Sequence, residues 1–381
     1  MRHPLAFYLI AASTALGIAG TDLVLPAVPI LPRAIGGTAE SAQFVLAAFT
    51  GGAATGLLLF GELGARFDQR RLLVLSLLAY AALSIACGFS PTLGALVVLR
   101  FFQGAAGAAA AVFAPGMIRA HYGDDRAIAA IGLLGSIEAM APALAPIVGS
   151  WLVAWAGWRS TFHVIAGLGL LLALILHLLR DRLPRPLPRG GIGGYRPLLR
   201  NAAFLRQALS HAFTLGALLI IVFGAPTVFV TVLGGTLADF VLLQILGIST
   251  FAVASNLTGR LVAQFGAERL ILAGTGLTAA GTFAILAYAL AGGADPRVVA
   301  GLFVPVNVGL GLRGPPGFHA AIVAADDDAR GAALLVVAIL LTAAIGTAAV
   351  APFITLGLVA IAGGAALLST AGVLLLVTIK S

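Results

Sequence analysis

Charge is what this sequence has least of. Of its 381 residues, 9% are charged and 60% are hydrophobic, whereas a water-soluble globular domain is about 25% charged. The chain cannot cover itself with a hydrated surface, which excludes a cytosolic enzyme, a disordered protein and a secreted scaffold. Lysine is almost missing: of 22 basic residues, only Lys380 is not an arginine. The single cysteine, Cys87, excludes an internal disulfide and any multi-cysteine metal site. The one local concentration of metal-ligating residue types is the run Asp326, Asp327, Asp328, and adjacent acids in a loop read as a solvated turn. Neither a metal site nor a membrane-embedded enzyme is therefore expected. GLGLRG at 309–314 has the glycine spacing of a dinucleotide loop, but it follows no strand and lies inside an apolar run. No cofactor is expected, and ATP is not expected to be the energy source.

What is present is a succession of apolar runs with a mean hydropathy of +1.08. A membrane-spanning helix needs roughly 20 apolar residues. Charged, Gly and Pro residues divide the chain into twelve such runs, near 6–30, 42–65, 72–90, 93–118, 127–152, 159–179, 206–232, 238–262, 270–291, 298–322, 331–351 and 356–378. Each is expected to be an α-helix, because lipid offers backbone polar groups no partner. A β-barrel would need short alternating strands rather than runs such as Leu168 to Leu179. The first run continues past Leu16 through Asp22, Pro26 and Pro29 without a cleavage site, so it reads as a spanning helix and not as a signal peptide.

An even number of spans puts both termini on one side. Seventeen basic residues fall in segments on that side, against Arg33, Arg159 and Arg297 on the other. Positive charge concentrates on the cytoplasmic face of a membrane, so both termini are expected in the cytoplasm, with the chain in the inner membrane. The same distribution reads the net charge of +8 as a topology signal, and no nucleic-acid partner is expected. The longest connection, 181–205, is rich in Pro, Gly and Arg and reads as a flexible basic linker between halves 1–180 and 206–381. The halves echo each other: GELGARFDQRRL at 61–72 and GRLVAQFGAERL at 259–270 share Gly, Leu, Ala, Phe, Arg and Leu in register, and DDRAIAA at 124–130 is answered by DDARGAA at 327–333. The expected fold is all-α, with twelve transmembrane helices in two pseudo-symmetric six-helix bundles. Parallel duplication of this kind is the layout of transporters that rock two bundles about a midplane site.

At these residues the chain resembles the major facilitator superfamily over nearly its whole length. That family's loop between the second and third helices reads Gly-x-Leu-x-Asp-Arg-x-Gly-Arg-Arg/Lys-Arg/Lys. Gly61, Leu63, Arg66, Arg70 and Arg71 match it, while Ala65 stands at the Asp position and Asp68 at the second Gly. The resemblance implies a gating contact here, which Asp68 would have to supply from a shifted position. LRFFQGAAGAAAA at 99–111 is similar to the family's fourth-helix motif with a buried arginine, here Arg100 followed by Gln103 and Gly104. APALAPIVGSWLVAWAGWRSTF at 141–162 is similar to its fifth-helix antiporter motif. With TDLVLPAVP at 21–29 these resemble the drug:proton antiporters of the bicyclomycin and chloramphenicol resistance type. The resemblance implies a monomer that exports a small amphipathic compound in exchange for protons by alternating access. The alternative keeps the fold and makes the chain a proton-coupled importer or facilitator of a small metabolite, anionic ones included.

Ionisable residues inside spans are costly and mark function by default. Four lie deep: Asp22, Arg100, Glu138 and Arg313. By helical rise of about 1.5 Å per residue, Asp22, Arg100 and Glu138 can meet in the first bundle. They are either a proton-coupling cluster or a static ion network joining helices. Pro142 and Pro146, one turn apart with Gly149 following, read as a hinge or tight seam between the two halves, or else as a fixed kink. Gln103, His211, Asn256, Asn307 and Arg313 are the candidate substrate contacts, with interhelical packing as the alternative for each. Arg313 has no deep carboxylate in its own half. It is expected either to face the central cavity beside a break at Gly314, Pro315 and Pro316 and engage an acidic group on the substrate, or to be taken up by backbone carbonyls freed by Pro315 and Pro316, or by Asp22 or Glu138 across the cavity.

Overall fold

The computed structural model describes residues 4–180, 183, 195–325 and 328–378, with residues 4, 124–129, 136, 139, 143, 328 and 329 described by their backbone alone. Much of the 181–205 linker, and Asp326 and Asp327 of the acidic run, lie outside the described residues. Twelve helices are long and apolar enough to cross a membrane: α1 (Leu5–Ile35), α2 (Ala39–Arg66), α3 (Gln69–Gly88), α4 (Leu93–Tyr122), α5 (Ala130–Ala156), α6 (Arg159–Leu178), α7 (Ala202–Val232), α8 (Leu237–Phe265), α9 (Ala267–Leu290), α10 (Pro296–Val323), α11 (Arg330–Leu356) and α12 (Leu358–Thr378). No strand occurs among the described residues. The fold is therefore all-α and multi-pass, and the helix ends fall within a few residues of those expected.

The helices are apolar on every face, and large side chains such as Leu75, Leu171 and Leu367 are left exposed. In water this would be ruinous; facing lipid it is the stable arrangement. Proline shapes the departures from regularity. Regular helix stops at Asp22 and passes into a 3-10 turn at Leu25–Ile30 that contains Pro26 and Pro29. Past Pro226, α7 closes in a π turn at Val228–Val232, and α11 ends in a 3-10 turn over Ala351–Leu356. The break expected at Gly314, Pro315 and Pro316 is absent: helix runs unbroken over Val304–Val323, and the interruption lies one residue earlier, at Phe303. The reason is a hydrogen bond from a neighbouring helix. Pro315 has no N–H for the carbonyl one turn back, that of Gly311, and the Thr258 hydroxyl of α8 lies 3.0 Å from that oxygen instead, sharing its proton between it and the Ala254 carbonyl at 2.8 Å.

The chain divides into two compact units, Met1–Gly37 with Ala48–Ile192, and Thr38–Ala47 with Gly193–Ser381. In the first, Phe7 and Ile10 of α1, Leu73 and Leu77 of α3, Phe113 and Met117 of α4 and Leu176 of α6 form one continuous core. In the second, Phe204 and Ala208 of α7 pack with Ala321 and Ala325 at the end of α10 and Leu335 of α11. Glycine seams bring helices to backbone contact. A Cβ on Gly52 or Gly56 of α2 would strike the carbonyl of Phe101 or Ala105 on α4, and one on Gly104 would strike that of Phe49. Small residues four apart are how membrane helices approach this closely. Gly309 and Gly311 of the GLGLRG segment do the same work, meeting Gly274 of α9 and Phe251 of α8. Gly56→Val should cost about 1–3 kcal/mol of overpacking strain and lower the unfolding temperature. Gly167→Val, where nothing lies within 4 Å of the added Cβ, should leave it nearly unchanged. Equal unfolding temperatures for the two variants would show that the seam yields freely.

Candidate functional site

In the first unit the site is built on α4. Thr92 caps the start of this helix by accepting from Ala95 N–H at 3.2 Å, and two turns later the helix carries Arg100 inward, 0% exposed. Its Nη1 donates to the Gly20 carbonyl of α1 at 3.0 Å and to Gln103 Oε1, one turn on, at 2.7 Å. Gln103 Nε2 passes the network to Ser84 Oγ on α3 at 2.6 Å, and Ser84 donates to the Tyr80 carbonyl at 2.6 Å. The Cys87 thiol reaches Gln103 Oε1 at 3.8 Å. The guanidinium carbon lies 4.1 Å from the centroid of the Phe49 ring and 5.8 Å from that of Phe162, so the charge is also held against aromatic faces. A Cβ on Gly20 would strike the Tyr80 hydroxyl, so the glycine lets the Tyr80 side chain pack where it does.

Asp22 is buried at the end of the regular part of α1 and interacts electrostatically with Arg100. Glu138 on α5 is half-buried, and its partner is the Thr14 side chain of α1. The Thr14 hydroxyl also donates to the Ala11 carbonyl at 2.9 Å. With one proton to give, it can serve an ionised Glu138 or Ala11, whereas a protonated Glu138 can itself donate to Thr14. On α5, helix continues through Pro142 and Pro146, which carry no break of their own. Ser150 Oγ donates to the Pro146 carbonyl at 2.9 Å, and a Cβ on Gly149 would strike the Leu23 carbonyl of α1. This stretch is thus a tight seam between α5 and α1.

The loop between α2 and α3 is built around Asp68. Its carboxylate caps α3 by accepting from Arg70 N–H at 2.9 Å, and it takes Arg70 Nη2 at 2.9 Å and Nε at 3.2 Å. Arg70 Nη1 donates to the Arg180 carbonyl at the end of α6 at 3.0 Å. The Asp68 carboxyl is thereby held below the usual carboxylate range, chiefly by the Arg70 hydrogen bonds. Arg66 pairs with Glu62 at 3.6 Å on the exposed side of α2, Gly61 is half-buried on the same helix, and Arg71 is exposed. Asp68→Ala should cost about 1 kcal/mol through loss of the cap. A lowered carboxyl pKa stabilises the fold above the unfolded value, and that contribution is lost as pH falls through the folded value. The stability difference between Asp68→Ala and wild type should accordingly be full at neutral pH and shrink below about pH 4. A difference that stays constant down to pH 3 in thermal unfolding would rule out this role.

In the second unit Arg313 of α10 is likewise 0% exposed. Its Nη1 donates to the Ser210 carbonyl at 2.6 Å and to Thr214 Oγ1 at 2.7 Å, both on α7. An arginine on the fourth helix of each unit therefore donates to a backbone carbonyl of that unit's first helix. His211 is buried beside it, 6.1 Å from the Phe318 ring. Asn307 is buried against Gly247 of α8 and donates to the Phe303 carbonyl at 3.0 Å. Asn256 is exposed and donates to its own helix at Ala252, 2.8 Å away. Tyr80, Ser84, Phe49, Thr14, Ser210 and Thr214 carry no motif. Only the four-residue spacing of Tyr80 with Ser84, and of Ser210 with Thr214, puts each pair on one helix face. No group of three His, Cys, Asp or Glu that could hold a metal occurs among the described residues.

Twelve apolar helices with fully buried, hydrogen-bonded arginines define a polytopic membrane carrier. The chain belongs to the major facilitator superfamily, whose family model matches residues 10–349; it is a transporter and not an enzyme. It is 26% identical over 259 residues to a bicyclomycin resistance protein homolog of Haemophilus influenzae, covering 66% of this chain and 65% of that protein. It is 35% identical over 155 residues to a chloramphenicol resistance protein of Pseudomonas aeruginosa, covering 40% of this chain and 37% of that one. The chain thus spans just under two thirds of the first relative and well under half of the second. Among solved structures, the POT family transporter PepTSo shares the fold with a TM-score of 0.78 over 98% of both chains, at 12% identity.

Proposed function

We propose that this transporter is a proton-coupled antiporter of the inner membrane that exports a small amphipathic organic compound, such as a drug or metabolite, by alternating access. The observation that carries the reading is the Arg100 network with Asp22 beside it. A buried carboxyl is pulled toward its neutral form by the apolar surroundings and toward its ionised form by a nearby guanidinium. A helix movement that changes the separation of Asp22 and Arg100 therefore changes whether a proton is held. Glu138 has a different kind of partner, a hydroxyl that can accept or donate, and supplies a second protonation site on the neighbouring helix. The drug-resistance names of the relatives support the direction of transport and the substrate class. The distribution of arginine supports cytoplasmic termini, the internal duplication supports residues 1–180 and 206–381 as the alternating halves with 181–205 as their linker, and membership of the superfamily suits a single chain as the working unit. Trp151 and Trp155, stacked at 5.6 Å and exposed near the end of α5, suit the aromatic belt of a membrane surface.

The test is reconstitution into proteoliposomes with an imposed pH gradient, using fluorescent dyes and chloramphenicol as probes. Gradient-driven accumulation supports the antiporter. Equilibration that ignores the gradient, or accumulation in the same direction as the protons, would replace it by the second reading, a facilitator or a proton-coupled importer of a small metabolite respectively. That reading is favoured by one feature, the lack of a carboxylate partner for Arg313 in its own unit among the described residues.

A further inference from the structure

We infer that Arg313 and His211 form a buried anion site beside Gly317, in the second unit, that takes a carboxylate or a small inorganic anion. A guanidinium presents a bidentate edge formed by Nε and one terminal nitrogen. In Arg313 the other terminal nitrogen, Nη1, is tied to Ser210 and Thr214 of α7, which fixes the plane of the group. The free edge is Nε and Nη2, both buried and without a hydrogen-bond partner. His211 Nδ1 is a third buried nitrogen without a partner. The three converge. A Cβ built on Gly317, one turn after Arg313, would lie 3.2 Å from Nη2, 3.3 Å from Nε and 3.3 Å from His211 Nδ1. The three nitrogens therefore lie together over one side of Gly317, close enough for one small anion approaching that side to meet them, and only the lack of a side chain at 317 leaves them uncovered.

The charge balance points the same way. The described carboxylates of the second unit are occupied or turned outward. Asp239 accepts from Thr236 and faces Arg297 at 3.7 Å, and Asp295 caps α10 by accepting from Arg297 N–H. Glu268, 85% exposed, lies 3.9 Å from Arg206, and Glu40 is exposed. The positive charge of Arg313 is compensated by a carbonyl and a hydroxyl alone on one side, while the side that recognises carboxylates is unspent. A planar fork with a fixed orientation selects a planar anion over a spherical one by geometry, and His211 adds a third donor when its proton is on Nδ1. The site is independent of the proton-coupling cluster, which lies in the other unit, and stands whether the transporter exports or imports.

The experiment uses the purified full-length protein in detergent, with sodium isethionate, a bulky sulfonate, replaced stepwise by sodium formate or sodium chloride at constant ionic strength. The reading is the unfolding temperature. A saturable rise with formate and not chloride assigns the site to a carboxylate, and hence to an acidic group on a transported compound. A saturable rise with chloride assigns it to an inorganic anion. Arg313→Gln should weaken the response by about tenfold or more, the equivalent of one charge-assisted hydrogen bond, and Gly317→Ala should remove it by setting a methyl group against all three nitrogens while leaving each of them in place. His211→Phe keeps an aromatic ring there and removes the third nitrogen, so it should weaken the response even if Gly317→Ala does not fold. The proposal is overturned if the wild-type protein shows no saturable response to either anion, or if all three variants respond as the wild type does.

Discussion

Asp22→Asn is expected to abolish uphill transport while leaving the protein folded. Asparagine keeps the shape of the carboxyl and its ability to hydrogen-bond but can neither hold nor release a proton. Arg100 retains the Gly20 carbonyl and Gln103 Oε1 as acceptors, so the neutral substitution leaves the guanidinium in a polar setting. What disappears is the negative charge of Asp22 beside Arg100, and with it the competition between burial and ion pairing that would trade a proton for a substrate. Glu138→Gln should have the smaller effect, because Thr14 can donate to the amide oxygen as it would to the carboxylate. In proteoliposomes, Asp22→Asn should still permit downhill equilibration but no accumulation against a gradient. Wild-type accumulation and wild-type pH dependence in both variants would remove Asp22 and Glu138 from the coupling mechanism.

The twelve spans were legible because charged, Gly and Pro residues interrupt the apolar runs. The remaining errors are at the ends, where α4 continues past residue 118 to Tyr122 and α5 past residue 152 to Ala156. A helix can run on beyond the apolar stretch, since its backbone bonds are internal wherever it goes. Asp22, Arg100, Glu138 and Arg313 stood out because ionisable residues are rare in such runs. Their partners did not. The Gly20 and Ser210 carbonyls belong to residue types that occur everywhere in this chain, and which carbonyl meets which arginine is decided by how helices cross. The unbroken helix over Pro315 and Pro316 shows the same thing from the other side. Locally the two prolines predict a break, and the compensating hydroxyl of Thr258 sits on another helix. Long-range satisfaction of this kind leaves no periodic trace in sequence.

Arg100 supplies the second large effect: neither Arg100→Ala nor Arg100→Lys should transport, and lysine should not rescue alanine. Alanine strands the Gly20 carbonyl and Gln103 Oε1 in an apolar interior and removes the countercharge of Asp22. Breaking one side of a buried charged network costs about 3–5 kcal/mol, so the alanine variant should also unfold at a markedly lower temperature. Lysine restores a positive charge but not its shape. The guanidinium donates from a single nitrogen to two acceptors on α1 and α4 while its flat face lies 4.1 Å from the Phe49 ring centroid. An ammonium is a compact point charge on a flexible stem that cannot stack in this way, and it gives up its proton more readily when buried. It would compete with Asp22 for the proton that the mechanism needs to assign to one of them. The lysine variant should therefore recover part of the lost unfolding temperature and little of the transport, below about a tenth of wild type if one charge-assisted hydrogen bond is forfeited. Full gradient-driven transport by Arg100→Lys would mean that position 100 requires only a positive charge, and the fixed geometry of the Gly20, Gln103 and Ser84 network would have no part in coupling.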